Sequence, residues 1–211
     1  MNALFSRFAL LTLTTATLSL AACSDDSDDT NAVAPALEVK TASNLAPAAG
    51  GTTSTGQPAT PKHYAFYNLA TNKEVPYTDS ASTKWDIAVR STTILVNGGT
   101  SGPGKGSAQV VDGLFTELTE APATGYKQDT STGKAIPTGS DNGWYNYNST
   151  THFITPIAGK IIMLQTADGK YAKMEVVSYY KDAPAAPTAT TPSGHYTFRY
   201  LYQPDGSRNL K

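Results

Sequence analysis

The side chains that could ligate a metal ion are few in this sequence and lie far apart. They are the three histidines His63, His152 and His195 and, beyond the initiator, the methionines Met163 and Met174. Imidazole nitrogen, thioether sulfur and phenol oxygen all serve as axial ligands of haem iron. Both methionines fall within β-rich runs, where a methionine usually fills the core. His152 stands where a loop turns into a strand, a position at which a histidine is more often structural than ligating.

Aromatic side chains are the second chemical resource of the chain. The 211 residues include twelve Tyr, six Phe and two Trp. Most of these rings are expected to form a sheet core and its cross-strand pairs. The turn-rich stretch 144–148 carries Tyr145 and Tyr147 close to His152, and Tyr126 lies a little earlier in the chain. Such rings could alternatively form a flat pocket for a planar ligand or a sugar ring, with their polar tips orienting the ligand.

Composition excludes several classes of function. Sixteen Lys and Arg against seventeen Asp and Glu give a net charge of −1, so the basic excess typical of nucleic-acid-binding proteins is missing. The single cysteine rules out a disulfide framework within one chain and any cysteine-rich metal site.

Sequence motifs for catalysis are weak. The chain has no Gly-x-Ser-x-Gly elbow, and its acidic residues lack the spacing of paired catalytic carboxylates. Residues 99–105 match the first seven positions of a phosphate-binding P-loop, but Gly106 stands where Mg²⁺ coordination needs Ser or Thr, and no helix pattern follows. A glycine-rich connection between strands explains this stretch better. The chain is therefore not expected to be an enzyme.

Periodicity predicts one antiparallel all-β domain over residues 61–211. Apolar and polar residues alternate around Trp85–Arg90, which predicts a half-buried strand, and again from Tyr196 to Gln203, which predicts a strand with an aromatic face. Asp168-Gly169 lies between the β-rich runs 161–166 and 171–180, which is a strong hairpin pattern. Helical spacing is confined to one short turn at 114–118.

The N-terminal region is typical of an exported lipoprotein. Residues 1–22 are apolar with small residues at the end, and Cys23 follows directly, as in the bacterial lipobox. We therefore predict a signal peptide over 1–22, a lipidated Cys23 and a stable membrane anchor. Residues 23–60 are poor in large apolar side chains and are predicted to be a flexible linker, with an edge strand at 36–41.

The order of several short motifs behind this lipobox resembles the HmuY-like haem-binding lipoproteins over about residues 60–204. The motifs are Trp85-Asp86-Ile87-Ala88, Asn97-Gly98-Gly99, Gly102-Pro103-Gly104-Lys105-Gly106, Thr166-Ala167-Asp168-Gly169-Lys170-Tyr171-Ala172-Lys173, Ser178-Tyr179-Tyr180-Lys181 and Tyr196-Thr197-Phe198-Arg199-Tyr200. The resemblance implies a hand-like all-β fold whose outer fingers hold haem (iron protoporphyrin IX) as cargo. It also implies a surface-exposed outer-membrane lipoprotein that takes haem from host or environmental haemoproteins and passes it to a TonB-dependent receptor.

The axial ligands of that family come from the middle of the chain, where this sequence departs from the pattern. Residues 112–151 contain neither His nor Met. The resemblance points to the residues after Trp144 for one ligand, which makes His152 the candidate metal ligand and Tyr126, Tyr145 and Tyr147 the alternates. Single-histidine ligation, a His–Tyr pair, another tetrapyrrole and loss of haem binding all remain open. The alternatives are a surface lipoprotein that binds a glycan through its aromatic patch and a structural lipoprotein without a small ligand.

Overall fold

Alternating and β-branched segments form strands along most of the chain. The computed structural model describes residues 36–51, 54–55 and 59–211. The predicted signal peptide 1–22 and Cys23 lie outside the described residues. The strands are β1 (Val39–Leu45), β2 (Ala65–Asn68), β3 (Lys73–Val75), β4 (Ile87–Arg90), β5 (Thr93–Val96), β6 (Ser107–Asp112), β7 (Tyr145–Tyr147), β8 (Ile154–Pro156), β9 (Lys160–Gln165), β10 (Tyr171–Tyr180) and β11 (Ser193–Gln203).

These strands form antiparallel sheets of five, four and two strands. The five-stranded sheet has the order β1-β11-β10-β9-β6, the four-stranded sheet has the order β3-β2-β4-β5, and β7 pairs with β8. The short helical segment Tyr77–Asp79 is of the 3-10 type and was not predicted. Within the described residues, no helix is long and apolar enough to cross a bilayer. The prediction of an antiparallel all-β domain is confirmed.

The hairpin of β9 and β10 confirms the prediction made from Asp168-Gly169. Gly169 takes a φ of +86°, which glycine adopts without steric cost, and its N–H donates to the Thr166 carbonyl at 2.9 Å. The register then pairs Tyr171 with Gln165 and Met174 with Ile162. Met163 and Met174 are fully buried, so the prediction that they fill the core is confirmed as well.

The main core lies between the five-stranded and four-stranded sheets. Tyr67 of β2 meets Phe198 of β11 edge to face, with the ring centroids 5.4 Å apart. Tyr196, Phe198 and Tyr200 are all buried, so the predicted aromatic face of the last strand is confirmed. Face-to-face burial of two sheets removes most of the apolar surface of both from water, and this is the main stabilising contribution in such a fold.

Strand β4 is buried on both faces, and the prediction of a half-buried strand is wrong. Ile87 and Val89 belong to the main core, while Ala88 lies in a separate cluster with Phe66, Trp85 and Leu95 on the other face of the four-stranded sheet. The intervening carboxylate of Asp86 is also buried, and it accepts hydrogen bonds from the N–H groups of Leu69 and Ala167. Burial raises the pKa of this carboxyl group, and the two hydrogen bonds oppose that shift.

The edge strand that the alternation at 36–41 predicts is present as β1. It pairs with β11 from Val39–Leu201 to Leu45–Tyr196, with a register shift between Ala42 and Leu45. Residues 39–45 thus belong to the five-stranded sheet, although composition assigns 23–60 to a linker. The strand is stabilised because Ala42 and Leu45 are buried in the main core. This burial could not be predicted from so short an apolar pattern in a stretch rich in Thr and Ala.

The second face of the five-stranded sheet is covered by residues 114–126 and by the C-terminus. Phe115 and Leu210 pack there against Ile161 and Met163. Lys173 enters this cluster from β10 and donates to the carbonyls of Phe115, Leu118 and Leu210 at 2.8, 2.8 and 3.2 Å. At 114–118 the chain makes the single turn that was predicted, with the Leu118 N–H donating to the Leu114 carbonyl.

Candidate functional site

The candidate site is built on the two-stranded hairpin of β7 and β8. Trp144 anchors its base: the indole is buried, it packs 5.3 Å from the Tyr196 ring, and its Nε1 donates to the Thr92 carbonyl. On the β8 side, the Ile154 N–H donates to the Tyr180 hydroxyl at 3.0 Å. The hairpin is therefore fixed to the core at its base, and its loop is presented at the surface.

Asn148 closes the loop of the hairpin. Its side-chain carbonyl accepts from the N–H groups of Thr150 and Thr151, both at 2.9 Å, and its backbone carbonyl accepts from the His152 N–H at 2.8 Å. Such side-chain to backbone bonds are the usual way in which Asn stabilises a turn. His152 has a φ of +61°, in the left-handed region where non-glycine residues are uncommon.

The loop brings His152 against Tyr147. The Tyr147 hydroxyl oxygen lies 2.6 Å from Nδ1 of His152, and the two ring centroids are 6.1 Å apart. Both side chains are exposed, Tyr147 to 42%. Among the described residues, Nε2 of His152 has no hydrogen-bond partner, so this nitrogen is free to meet a ligand.

A short network of hydrogen bonds fixes the backbone of Tyr147. Its backbone N–H donates to Oγ of Ser140 at 2.8 Å, and that hydroxyl donates to Asp141 at 2.9 Å. Hydrogen bonds from Asn146 and Ser140 lower the pKa of the Asp141 carboxyl group. The strand that carries Tyr147 is thus fixed on both sides, by β8 and by the preceding loop.

The other two predicted site residues lie elsewhere. Tyr145 is buried in the main core with its ring centroid 4.9 Å from that of Trp144. Tyr126 packs in the second cluster, 6.0 Å from the Tyr171 ring, and its buried hydroxyl has no hydrogen-bond partner among the described residues. Burial raises the pKa of Tyr126. Of the four predicted residues, the structure joins His152 and Tyr147.

The aromatic patch around Trp144 is not a surface for sugar stacking. Trp144 and Tyr145 are buried because they anchor the hairpin, and only Tyr147 of the three rings is exposed. The glycan-binding alternative therefore loses the patch on which it depended.

The remaining histidines have other neighbours. His63 stacks on Tyr77 with centroids 3.7 Å apart, and Nδ1 of His195 lies 3.0 Å from the Ser193 carbonyl oxygen. In residues 36–51, 54–55 and 59–211, no group of three or more His, Cys, Asp or Glu side chains could hold a bare metal ion.

Two surface grooves have the size of small-molecule sites, which typically enclose about 300–1,000 Å³. One, of about 530 Å³, lies between residues 156–158 and the outer face of β10 and β11, with Glu175 and Arg199 in its lining. The other, of about 580 Å³, is lined by Tyr64, Phe66, Leu95 and the loop 99–103. The loop 99–103 thus connects β5 with β6, as predicted, and it forms no helix N-terminus. The lining of neither groove includes His152.

Comparison with known proteins places the chain in a family. The model of the family described as HmuY protein matches residues 60–200. The chain belongs to the HmuY family. A search among curated proteins finds no match.

Solved structures similar to this HmuY-family chain include proteins of three bacteria. The apo HmuY analog of Tannerella forsythia is 19% identical, with a TM-score of 0.46 over 80% of this chain and 96% of that one. A protein named as a lipoprotein from Bacteroides fragilis is 20% identical, with a TM-score of 0.44 over 67% and 86%. A protein named HmuY-like heme binding protein from Bacteroides vulgatus is 23% identical, with a TM-score of 0.42 over 66% and 84%.

Proposed function

We propose that this HmuY-family protein binds haem and that His152 supplies an axial ligand to the iron. The observation that carries the proposal is the exposed imidazole of His152, whose Nδ1 is engaged by Tyr147 while Nε2 has no hydrogen-bond partner in the part of the chain that the structure describes. Ligating histidines usually have their second ring nitrogen hydrogen-bonded, which fixes the ring and its tautomer. Haem brings four nitrogen ligands of its own, so one protein side chain is enough to complete a five-coordinate iron.

The surroundings of His152 support a flat apolar ligand. The exposed ring of Tyr147 and the half-buried Phe153 and Ile154 lie on the same hairpin. The family membership, and a relative named for heme binding, favour haem over other planar molecules. No covalent bond of the porphyrin is made or broken, so the function that we propose is binding and not catalysis.

The wider role that we propose is haem capture and relay. A lipidated Cys23 would anchor the protein in the outer membrane, with the β domain exposed at the cell surface. The protein would take haem from host or environmental haemoproteins and deliver it to a TonB-dependent receptor. Both transfers require reversible coordination, and a single exposed ligand suits reversible coordination better than an enclosed pair.

Hemin titration tests the binding proposal. The polypeptide from residue 24 on contains the whole compact unit 35–211. The Soret band of hemin is expected to shift when hemin is titrated into this polypeptide. His152→Ala is expected to weaken hemin binding by at least about tenfold, because even the hydrogen-bond partners of ligating residues typically contribute that much to metal affinity. His195→Ala is the matched control, because His195 is also partly exposed but hydrogen-bonds within its own strand. Equal titration curves for His152→Ala and the parent protein would overturn the assignment of the ligand.

Haem transfer tests the wider role. Incubation with methaemoglobin should move the Soret band to that of the loaded protein, and this transfer should fail with His152→Ala. A loaded protein that never yields haem to a co-expressed TonB-dependent receptor would restrict the function to storage.

A further inference from the structure

We infer that Tyr147 is a positioning residue whose hydroxyl engages Nδ1 of the His152 imidazole and thereby leaves Nε2 as the ring nitrogen that can meet iron. This inference rests on the proposed function and assigns a role to a second side chain of the site. Its basis is the 2.6 Å separation between the Tyr147 hydroxyl oxygen and Nδ1 of His152.

Two proton arrangements satisfy this distance. In one, the phenol O–H donates to Nδ1, and the ring proton then resides on Nε2. In the other, Nδ1–H donates to the phenol oxygen, and Nε2 carries the lone pair. Only the second arrangement leaves a nitrogen that can coordinate a metal from the exposed side of the ring.

The same pair of heavy atoms serves both arrangements, since a tyrosine hydroxyl both donates and accepts. Changing from the first to the second needs a proton to leave Nε2 for solvent, a proton to be taken up at Nδ1, and the phenol O–H to rotate toward water. The number of protons on the protein is unchanged. No movement of backbone or ring is required, so the hydrogen bond costs little to reverse and is retained in the metal-bound state.

The backbone keeps the two rings in register. Tyr147 is held by the Ser140 hydroxyl and by the β7–β8 ladder, which pairs it with Ile154. His152 is held by the carbonyl of Asn148 on its own N–H. The hydroxyl of Tyr147 therefore stays beside Nδ1 and not beside Nε2, which makes the preference between the two nitrogens a property of the fold.

A different use of the same pair is the competing outcome. The phenol proton could pass to Nδ1 of His152, and the resulting phenolate oxygen could bind the iron in place of the imidazole. Tyr147 would then be the ligand and His152 its base. The two schemes differ in the atom bonded to iron, so spectroscopy separates them.

The experiment compares Tyr147→Phe with Tyr77→Phe. Tyr77 is exposed and makes ring contacts, and its hydroxyl has no hydrogen bond to any other described residue. Hemin affinity and the iron–histidine stretching band of the ferrous complex are measured for both. We expect Tyr147→Phe to keep the histidine-ligated spectrum, to bind hemin about 10–100 times more weakly, and to lower the stretching frequency. Tyr77→Phe should match the parent protein. An unchanged affinity and stretching band in Tyr147→Phe would overturn the inference, and so would a tyrosinate-to-iron charge-transfer band in the parent protein.

A haem-free readout separates this inference from the proposed function. Nitrogen-15 chemical shifts of the His152 ring, measured where the imidazole is neutral, report which nitrogen carries the proton. The Nδ1 shift of the parent protein should differ from that of Tyr147→Phe, because the variant lacks the hydrogen bond at this nitrogen. Equal shifts would overturn the inference whatever the result with hemin. A shift difference in a protein that fails to bind hemin would support the positioning role and contradict haem binding.

Discussion

The hydroxyl of Tyr200 lies 2.9 Å from the carbonyl oxygen of Leu69 and so joins the two large sheets. Tyr200 belongs to β11, and Leu69 directly follows β2. The N–H of the same Leu69 donates to the buried carboxylate of Asp86. Both polar groups of Leu69 are thus satisfied by side chains, which allows the chain to leave the four-stranded sheet inside the core.

Tyr200→Phe should destabilise the protein by about 1–3 kcal/mol, because it leaves a buried carbonyl without a donor. The free energy of unfolding in chemical denaturant measures this loss. Tyr77→Phe removes a hydroxyl from an exposed ring and should change stability by less than about 0.5 kcal/mol. Equal stability of the two variants would mean that the link between Tyr200 and Leu69 contributes nothing.

Lys173→Met should also lower the free energy of unfolding by about 1–3 kcal/mol. Burial lowers the pKa of the Lys173 amine, so the charge itself is disfavoured, but its three N–H bonds satisfy carbonyls of the segment 115–118 and of Leu210. Methionine fills a similar volume and leaves these acceptors unpaired. Lys181→Met at an exposed position is the control. A stabilised Lys173→Met protein would show that the desolvation of the charge outweighs the hydrogen bonds.

Stability should fall steeply above pH 10 because burial disfavours the ionisation of tyrosines in the folded state. Burial raises the pKa of Tyr179 to about 12 and that of Tyr196 well above its ordinary value of 10.0. Between pH 10 and 12 the folded state therefore binds more protons than the unfolded state, and each such tyrosine reduces stability by about 1.4 kcal/mol per pH unit. Below pH 10 both states are protonated and the effect vanishes.

Denaturant unfolding at a series of alkaline pH values measures this slope. Tyr179→Phe should make the slope shallower by the share of one tyrosine. A stability that stays flat from pH 10 to 12 would contradict the burial of these hydroxyl groups.

Asp129→Ala should loosen the segment that precedes the hairpin. The buried carboxylate of Asp129 accepts from the N–H of Val96 at 3.2 Å and from that of Ala135 at 2.8 Å, so it fastens this segment to the edge of β5. Its loss leaves two buried donors, at a cost of about 1–3 kcal/mol for each. Hydrogen exchange at these two amides should accelerate in the variant.

The control for Asp129 is Asp112→Ala. Asp112 forms an exposed ion pair with Lys160 at 2.6 Å, and such pairs contribute about 0–1 kcal/mol. Slow exchange at Val96 and Ala135 in Asp129→Ala would mean that other contacts hold the segment.

Local patterns were enough to predict strands β4, β9, β10 and β11, but not β6 or β7 and not which faces are covered. Asp168-Gly169 predicts its hairpin because a two-residue turn is set by its own residues. The burial of Ala88 could not be predicted, since its cover includes Phe66 of β2, which is distant in sequence. The burial of Ala42 and Leu45 likewise depends on the pairing of β1 with the distant strand β11.

In the candidate site, too, the residues could be predicted from local sequence but their contacts could not. His152 and Tyr147 were candidates by residue type and position, yet their hydrogen bond follows from a left-handed backbone at His152 that no periodicity predicts. Tyr145 lies two residues before Tyr147 and so on the same side of β7. One ring is buried and the other exposed, because Trp144 covers only the first.

Strand β1 gives the domain a mechanical property that depends on direction. The polypeptide enters the five-stranded sheet at Val39, opposite Leu201, at the outer margin of the ladder. A force along the strand axis would act on all the hydrogen bonds between β1 and β11 together, whereas a force perpendicular to that axis would break them one after another. Resistance to pulling from the N-terminal side is therefore set by the angle of the pull as well as by the free energy of unfolding.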